Sequence, residues 1–186
     1  MDQATNNTHS GDESLLSSVA DLRKRARQHT DEGAVTEGYG ANRDRVLELL
    51  NEALATELVC VLRYKRHYFM AKGINSEGVK AEFLQHSKEE MAHADSIAKR
   101  ITELGGEPDF SPDTLTKRSH AEYVPGDTLS AMLKEDLVAE RIAIESYREM
   151  IAYLGDADPT TQRMLKEILA MEEEHAEDIS SLLENR

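Results

Sequence analysis

Two Glu-x-x-His motifs, Glu90 to His93 and Glu172 to His175, constrain this sequence more than any other feature. Residues three apart lie on the same face of a helix, so each motif points one carboxylate and one imidazole in a common direction. Carboxylate oxygen and imidazole nitrogen together suit iron, manganese or zinc. The motifs therefore predict two helices that each offer a pair of metal ligands.

Two further glutamates stand in otherwise apolar stretches. Glu57 lies 33 residues before Glu90, and Glu140 lies 32 residues before Glu172. A carboxylate at a core position is costly unless another group neutralises it. Four carboxylates and two imidazoles, spaced one helix apart, could be neutralised together by two metal ions, and the ligand types alone allow iron, manganese or zinc.

The alternative interpretation is that all these side chains are solvated charges on acidic helices. It suits Glu173 and Glu174, which lie inside the second motif. It suits the six-residue set less well, because two lone glutamates precede the two motifs at nearly equal spacing and charges are rarely buried without a partner.

From about Arg43 to Leu183 the chain resembles the bacterioferritins and Dps-like ferritins. The matching segments are residues 50–59, 90–95, 132–137 and 168–175. The resemblance implies an all-α, ferritin-like antiparallel four-helix bundle. It implies these ferroxidase ligands: Glu57, Glu90, His93, Glu140, Glu172 and His175. It also implies two iron ions per subunit bridged by Glu90 and Glu172, with Tyr64 near them.

Apolar residues at helical spacing predict the four long helices, over residues 41–72, 76–104, 127–154 and 159–183. Gly73 is the predicted C-cap of the first helix, and Ser76, Asp127 and Asp158 are the predicted N-caps of the others. Residues 107–126 contain three prolines and are too long for a hairpin turn. In the ferritin-like arrangement they form the crossover between the second and third helices.

Composition limits the function classes. The net charge of −14 argues against general affinity for nucleic acid and is compatible with attracting cations. Cys60 is the single cysteine, which excludes an internal disulfide and a Cys-x-x-Cys metal site. We predict that Cys60 is a buried packing residue. No apolar run approaches a membrane span of about 20 residues, and the polar N-terminus has no signal sequence. A cytoplasmic protein without a membrane partner is therefore expected.

Residues 1–40 are predicted to be an extension of the bundle at 41–186. Residues 1–14 are expected to be disordered, 15–28 to form a short amphipathic helix, and 30–40 to be a linker. The helix carries the basic run Arg23–Arg27, and basic tails of some Dps-like proteins bind DNA. Residues 1–42 hold seven acids against four bases, so a solvated helix end, or a tail packed on a neighbouring subunit, is favoured over DNA contact.

Several other residues have a functional and an ordinary interpretation. Met91 matches the methionine that binds haem in bacterioferritins, or is a surface methionine. His67, Tyr68 and His86 are either auxiliary metal ligands or hydrogen-bonded structural residues. Asp136 either accepts the second ring proton of a ligand histidine or is a solvated charge.

The leading hypothesis is a ferroxidase and iron-storage protein that oxidises Fe(II) with O2 or peroxide and mineralises Fe(III) inside a homo-oligomeric cage. The chain ends three residues after Leu183 without the short fifth helix of 24-subunit ferritins, which favours a dodecamer. The alternatives are a rubrerythrin-like peroxidase or di-iron oxygenase, and a DNA-binding protection protein acting through its N-terminal tail.

Overall fold

A computed structural model describes residues 17–73 and 76–184, and within these ranges the regular elements are all helical. Their bounds are α1 Val19–Arg25, α2 Arg43–Met70, α3 Ser76–Glu103, α4 Leu115–Arg118, α5 Leu129–Leu154 and α6 Pro159–Glu184. The predicted all-α fold is confirmed. Among the described helices, none is long and apolar enough to cross a membrane.

The four long helices form two closely packed pairs. α2 packs along α3 and α5 packs along α6, and the pairs meet where α2 contacts α5 and α3 contacts α6. α3 begins six residues after α2 ends, and α6 begins five residues after α5 ends. Connections this short make the joined helices antiparallel neighbours. With 26 to 28 residues, each helix is about 40 Å long.

Two helix caps differ from the prediction. Thr128, not Asp127, caps α5, because its extended backbone lets the hydroxyl accept a hydrogen bond from an N–H of the first turn. α2 ends at Met70, and its C-cap is Ala71, whose extended conformation stops the helix two residues before Gly73. Asp158 caps α6 as predicted, and its Oδ1 accepts a backbone N–H at 2.9 Å.

The predicted crossover is confirmed, and it lies along α2. It includes α4, a single turn that the sequence pattern did not predict. Arg118 donates to the carbonyl of Asn51 at 3.0 Å, and Arg63 donates to the carbonyl of Glu122 at 3.0 Å. These side-chain hydrogen bonds hold the irregular crossover against α2. They also give partners to backbone carbonyls of both segments, which buried backbone groups need.

Two apolar clusters leave a polar layer between them. One contains Leu50, Leu54, Ile97, Ile101, Tyr147, Leu165 and Ile168. The other contains Tyr64, Phe83, Met132, Leu133 and Ile179. On each long helix, the glutamates and histidines of the six-residue set lie between members of the first cluster and members of the second. The polar layer is therefore enclosed by apolar packing at both ends.

The short helix before the bundle is α1. Val19 is 61% exposed and Leu22 is 44% exposed, so the apolar side of α1 does not pack against the described part of the chain. Residues 1–14, which the sequence predicts to be disordered, lie outside the described residues, as do Leu15 and Leu16.

The predicted linker over residues 30–40 is attached to the bundle. Val35 is buried in the first apolar cluster. The hydroxyl of Tyr39 donates to Asp158 Oδ2 at 2.8 Å, and Asp158 also binds Arg100. This segment packs on the bundle because two of its few large side chains have partners there.

Candidate metal centre

The six predicted ligands meet in the polar layer between the apolar clusters. They come from all four long helices: Glu57 from α2, Glu90 and His93 from α3, Glu140 from α5, and Glu172 and His175 from α6. All six side chains are buried. A buried set of four carboxylates is stable only if cations or protons compensate their charge.

The first of two overlapping groups surrounds His93. Its Nδ1 lies 3.4 Å from Glu57 Oε2 and 3.5 Å from Glu90 Oε2. The same nitrogen lies 3.0 Å from Glu172 Oε1. One ligand atom from each of the four side chains lies within 4.8 Å of the others, a spacing that allows all four to contact one ion.

The second group surrounds His175. Its Nδ1 lies 3.3 Å from Glu90 Oε1 and 3.7 Å from Glu172 Oε2. Glu140 Oε2 lies 3.9 Å from the same nitrogen. These four side chains also offer ligand atoms within 4.8 Å of one another, so they form a second position for an ion.

Glu90 and Glu172 belong to both groups. Glu90 presents Oε2 to His93 and Oε1 to His175, whereas Glu172 presents Oε1 to His93 and Oε2 to His175. Each carboxylate thus gives one oxygen to each position. This is the arrangement needed for two carboxylates to bridge two metal ions.

The inward-facing atoms of this set lack hydrogen-bond partners, although most buried polar atoms in proteins have at least one. The unpartnered atoms are Glu57 Oε2, Glu90 Oε1, His93 Nδ1, Glu140 Oε2, both Glu172 oxygens and His175 Nδ1. They are oxygen and nitrogen donors that converge on the same interior. The residues therefore fit two ions of the iron, manganese or zinc type.

Two buried tyrosines hold Glu57 and Glu140, the glutamates that each belong to only one of the two groups. Tyr147 donates a hydrogen bond to Glu57 Oε1, and Tyr64 donates one to Glu140 Oε1. Each glutamate keeps its Oε2 directed at the centre. The sequence resemblance placed Tyr64 near the centre but missed Tyr147. The available signal was spacing, because Tyr147 follows Glu140 by seven residues, as Tyr64 follows Glu57.

Glu89 was also missed by the sequence reasoning. Its Oε2 lies 3.0 Å from Nε2 of His175, and its Oε1 accepts a hydrogen bond from Gln85 at 2.6 Å. A carboxylate on the outer ring nitrogen fixes the orientation of a ligand histidine and makes it a stronger donor. Its position just before the Glu90 motif gave no signal because it reads as one more surface acid.

Burial and repulsion by neighbouring carboxylates make Glu57 and Glu140 weak acids. Burial, with the neighbouring Glu90 charge, raises the pKa of Glu57 to about 8. Burial, with the charges of Glu90 and Glu172, raises the pKa of Glu140 well above its usual value. In the absence of metal, Glu57 therefore holds a proton at neutral pH, and the protonated form of Glu140 is favoured.

The two histidines also hold protons there. Burial lowers the pKa of His175, but the nearby carboxylates of Glu172 and Glu90 outweigh it and raise the pKa to about 10. Burial likewise opposes protonation of His93, and the carboxylates around it raise its pKa far above the usual range. Protons therefore neutralise the polar layer wherever cations do not.

Comparison with known proteins identifies the family of this chain. Residues 47–186 match the model of the ferritin family, described as a ferritin-like domain. The chain belongs to the ferritin-like family.

Three relatives resemble this ferritin-like protein over most of its length. The bacterioferritin of Desulfovibrio desulfuricans is 28% identical over 145 residues, which cover 76% of this chain and 77% of the relative. Its structure, solved with the diiron site in different catalytic states, aligns with a TM-score of 0.68 at 25% identity and covers 76% of this chain and 80% of that one. The DNA protection during starvation protein of Pyrococcus furiosus is 31% identical over 152 residues, or 80% and 82% of the two chains. The dodecameric thioferritin of Bacteroides fragilis aligns with a TM-score of 0.76 at 31% identity, covering 78% and 88%.

One prediction about the surroundings of the centre is wrong. Asp136 does not accept a proton from a histidine of the six-residue set. Its Oδ1 accepts a hydrogen bond from Arg63 Nε at 2.8 Å. Its Oδ2 lies 2.8 Å from His67 Nδ1. The other nitrogen of His67 lies 2.9 Å from the Pro125 carbonyl. Because Arg63 is a buried cation, it pairs with the Asp136 carboxylate, which the sequence interpretation had assigned to the centre. His67, with partners on both ring nitrogens, is a structural residue of the ferritin-like bundle.

Three further candidates from the sequence, Met91, Cys60 and His86, lie outside the six-residue set. Met91 is 38% exposed, so it faces away from its ligand neighbours, and haem binding there stays a prediction. Cys60 is buried against Ala121 and Ala139, as predicted. His86 is buried next to the centre, with its ring stacked on that of His175 at 4.1 Å between centroids.

Proposed function

We propose that this ferritin-like protein is a ferroxidase that takes Fe(II) as substrate at the six-residue centre and stores the Fe(III) product. The observation that carries the proposal is the position of Glu90 and Glu172, each of which directs one oxygen at the His93 group and the other oxygen at the His175 group. Two Fe(II) ions that share carboxylates are held close enough to release electrons as a pair. Two of the relatives are named bacterioferritin and thioferritin, and these names support iron as the metal.

The protein residues set geometry and charge in this reaction. Glu57 and His93 complete one position, and Glu140 and His175 complete the other. Four carboxylates balance the positive charge of two ions and favour the Fe(III) state, because added anionic ligands stabilise the higher charge. Each Fe(II) loses one electron. The pair of electrons, with two protons, reduces O2 to H2O2 or H2O2 to water.

Storage requires an enclosed space, which we propose to be a homo-oligomeric cage. A related chain is a dodecameric thioferritin, and we propose twelve subunits here. Large apolar side chains remain exposed on this subunit, and subunit contacts can cover them: Leu62, Phe69, Val138 and Tyr153. The net charge of −14 on each chain favours accumulation of iron cations.

The experiment that tests this function is aerobic Fe(II) loading of the purified protein, with particle mass measured by light scattering in the same run. Iron far above two ions per chain in a large particle is expected, and the mass distinguishes twelve from twenty-four subunits. Iron that saturates at about two per chain in a small oligomer contradicts storage and favours the rubrerythrin-like or oxygenase alternative. Failure to oxidise Fe(II) contradicts the ferroxidase assignment itself.

DNA protection is a separate question for this chain. One relative is named for it. The exposed helix α1 carries Arg23, Lys24 and Arg25, and Arg27 follows it. A gel shift of linear DNA that is lost on deleting residues 1–40 and weakens with salt would support it. The acidic balance of the tail predicts no shift.

A further inference from the structure

A second cluster of ligand-type side chains lies outside the six-residue set. We propose that Glu82, His86 and Asp178 form a site for one divalent cation on the face formed by α3 and α6. Nε2 of His86 lies 3.9 Å from Glu82 Oε2 and 3.8 Å from Asp178 Oδ2. Ligand atoms that each lie about 2.1 Å from one ion are separated by about 3–4 Å. The two distances from His86 match this spacing, and all three ligand atoms lie within 4.8 Å of one another.

The hydrogen bonds of His86 decide which of its nitrogens is free. Tyr64 gives its only hydroxyl proton to Glu140. His86 Nδ1 lies 3.3 Å from that hydroxyl oxygen and is the donor in this contact when Glu140 is ionised. In a neutral imidazole the other nitrogen, Nε2, then carries the lone pair. This is the arrangement of a metal-binding histidine whose outer nitrogen is fixed by a hydrogen bond.

A cation resolves the unfavourable contacts of this buried ring. His86 is 2% exposed, and Nε2 is beyond hydrogen-bond range of both carboxylates. A lone pair facing two carboxylates is repelled by them, and neither carboxylate has a proton to donate when ionised. An ion between the three groups replaces repulsion with three favourable contacts. One imidazole and two carboxylates suit Fe(II), Mn(II), Co(II) or Zn(II).

The site is open to solvent on one side and close to the centre on the other. The side chains of Glu82 and Asp178 are 44% and 50% exposed, so ions can reach them. The ring of His86 stacks on that of His175, which borders the second metal position. A role in passing Fe(II) to the centre follows from this placement and rests on the proposed function. Binding of the cation itself does not depend on it.

The test is equilibrium dialysis of the metal-free oligomer against Co(II) at neutral pH, with cobalt per chain counted by elemental analysis. We expect Asp178→Asn and Glu82→Gln each to bind one cobalt fewer per chain than the parent. Glu177→Gln is the matched control, because Glu177 is the neighbouring exposed acid on α6, and it should bind as many as the parent. If Asp178→Asn and Glu82→Gln both bind as many as the parent, the site does not exist.

Variants of the main centre separate this proposal from the proposed function. Glu90→Gln removes a shared ligand of both main positions and should lose cobalt, and adding Asp178→Asn should lose one more. If Glu90→Gln alone binds the parent amount while Asp178→Asn loses one, the third site stands and the main centre is wrong. If Asp178→Asn lowers the count only when Glu90 is intact, the cluster is an outer part of the main centre and the independent site is refuted.

Discussion

Tyr147 of α5 donates a hydrogen bond to Glu57 of α2, and the same relationship holds in reverse between Tyr64 of α2 and Glu140 of α5. Each helix therefore supplies a glutamate to the centre and a tyrosine to the glutamate of the other helix. The exchange links the two halves of the bundle at the polar layer. It also gives the two metal positions matching surroundings, related by an approximate two-fold axis.

The tyrosine contact predicts a loss of metal affinity when the hydroxyl is removed. In Tyr147→Phe, Glu57 loses the bond that orients its Oε2, and affinity at the first position should fall about 10- to 100-fold, as for other outer partners of metal ligands. Anaerobic Fe(II) titration with a stopped-flow oxidation assay measures this. Tyr153→Phe, on the same helix but 52% exposed, is the control. Parent-like titration of Tyr147→Phe would show that the hydroxyl does not position the ligand.

The distinction between bridging and terminal glutamates predicts different cobalt counts. Glu57→Gln weakens one position only and should lose one ion per chain. Glu172→Gln weakens both and should lose two. Both are best counted in the Asp178→Asn background, where the proposed third site is absent. Equal losses for the two variants would contradict the shared role of Glu172.

The sequence predicted the elements of the fold because its signals were local and repeated. The two motifs and two lone glutamates, each on a periodic helix, defined which faces turn inward, and the structure brings these faces together. Asp136 was misassigned because its partner is set by a tertiary contact between residues far apart in the sequence. Arg63, 73 residues earlier in the chain, is buried beside it, and no local pattern shows that a surface-type cation lies in the core. Glu89 was missed for the same reason, since its partner lies 86 residues away. Tyr147 was missed although the seven-residue spacing from Glu140 repeats that of Tyr64 from Glu57.

The buried pair of Arg63 and Asp136 predicts a large effect on stability, independent of metal. Asp136→Asn keeps the shape but leaves Arg63 as an uncompensated charge, and the pair is almost fully shielded from solvent. Removing one partner of a buried ion pair costs about 3–5 kcal/mol in the free energy of unfolding. Denaturant unfolding of the metal-free protein measures the change, and Glu135→Gln on the same helix is the control. A change below about 1 kcal/mol, as for exposed pairs, would contradict the contact.

Proton release is the prediction that most directly reports the electrostatics of the centre. At pH 7, the raised pKa values of Glu57, near 8, and His175, near 10, keep both groups protonated without metal. The pKa values of Glu140 and His93 are raised as well. Metal binding needs the unprotonated forms, so protons must leave as ions enter. Affinity should rise with pH by about tenfold per pH unit for each proton released.

The sign follows from which state holds the protons. The metal-free centre binds more protons than the loaded one, so acid favours the metal-free state. Metal binding therefore weakens as pH falls below about 10, the pKa of His175, and more steeply below about 8, the pKa of Glu57. Calorimetry of Zn(II) binding in buffers of different ionisation enthalpy should give more than one proton released per chain at pH 7. The release should decrease above pH 8, once Glu57 loses its proton unaided. Release of no protons at pH 7 would mean that the carboxylates are already ionised in the metal-free protein, and that something other than protons neutralises the polar layer.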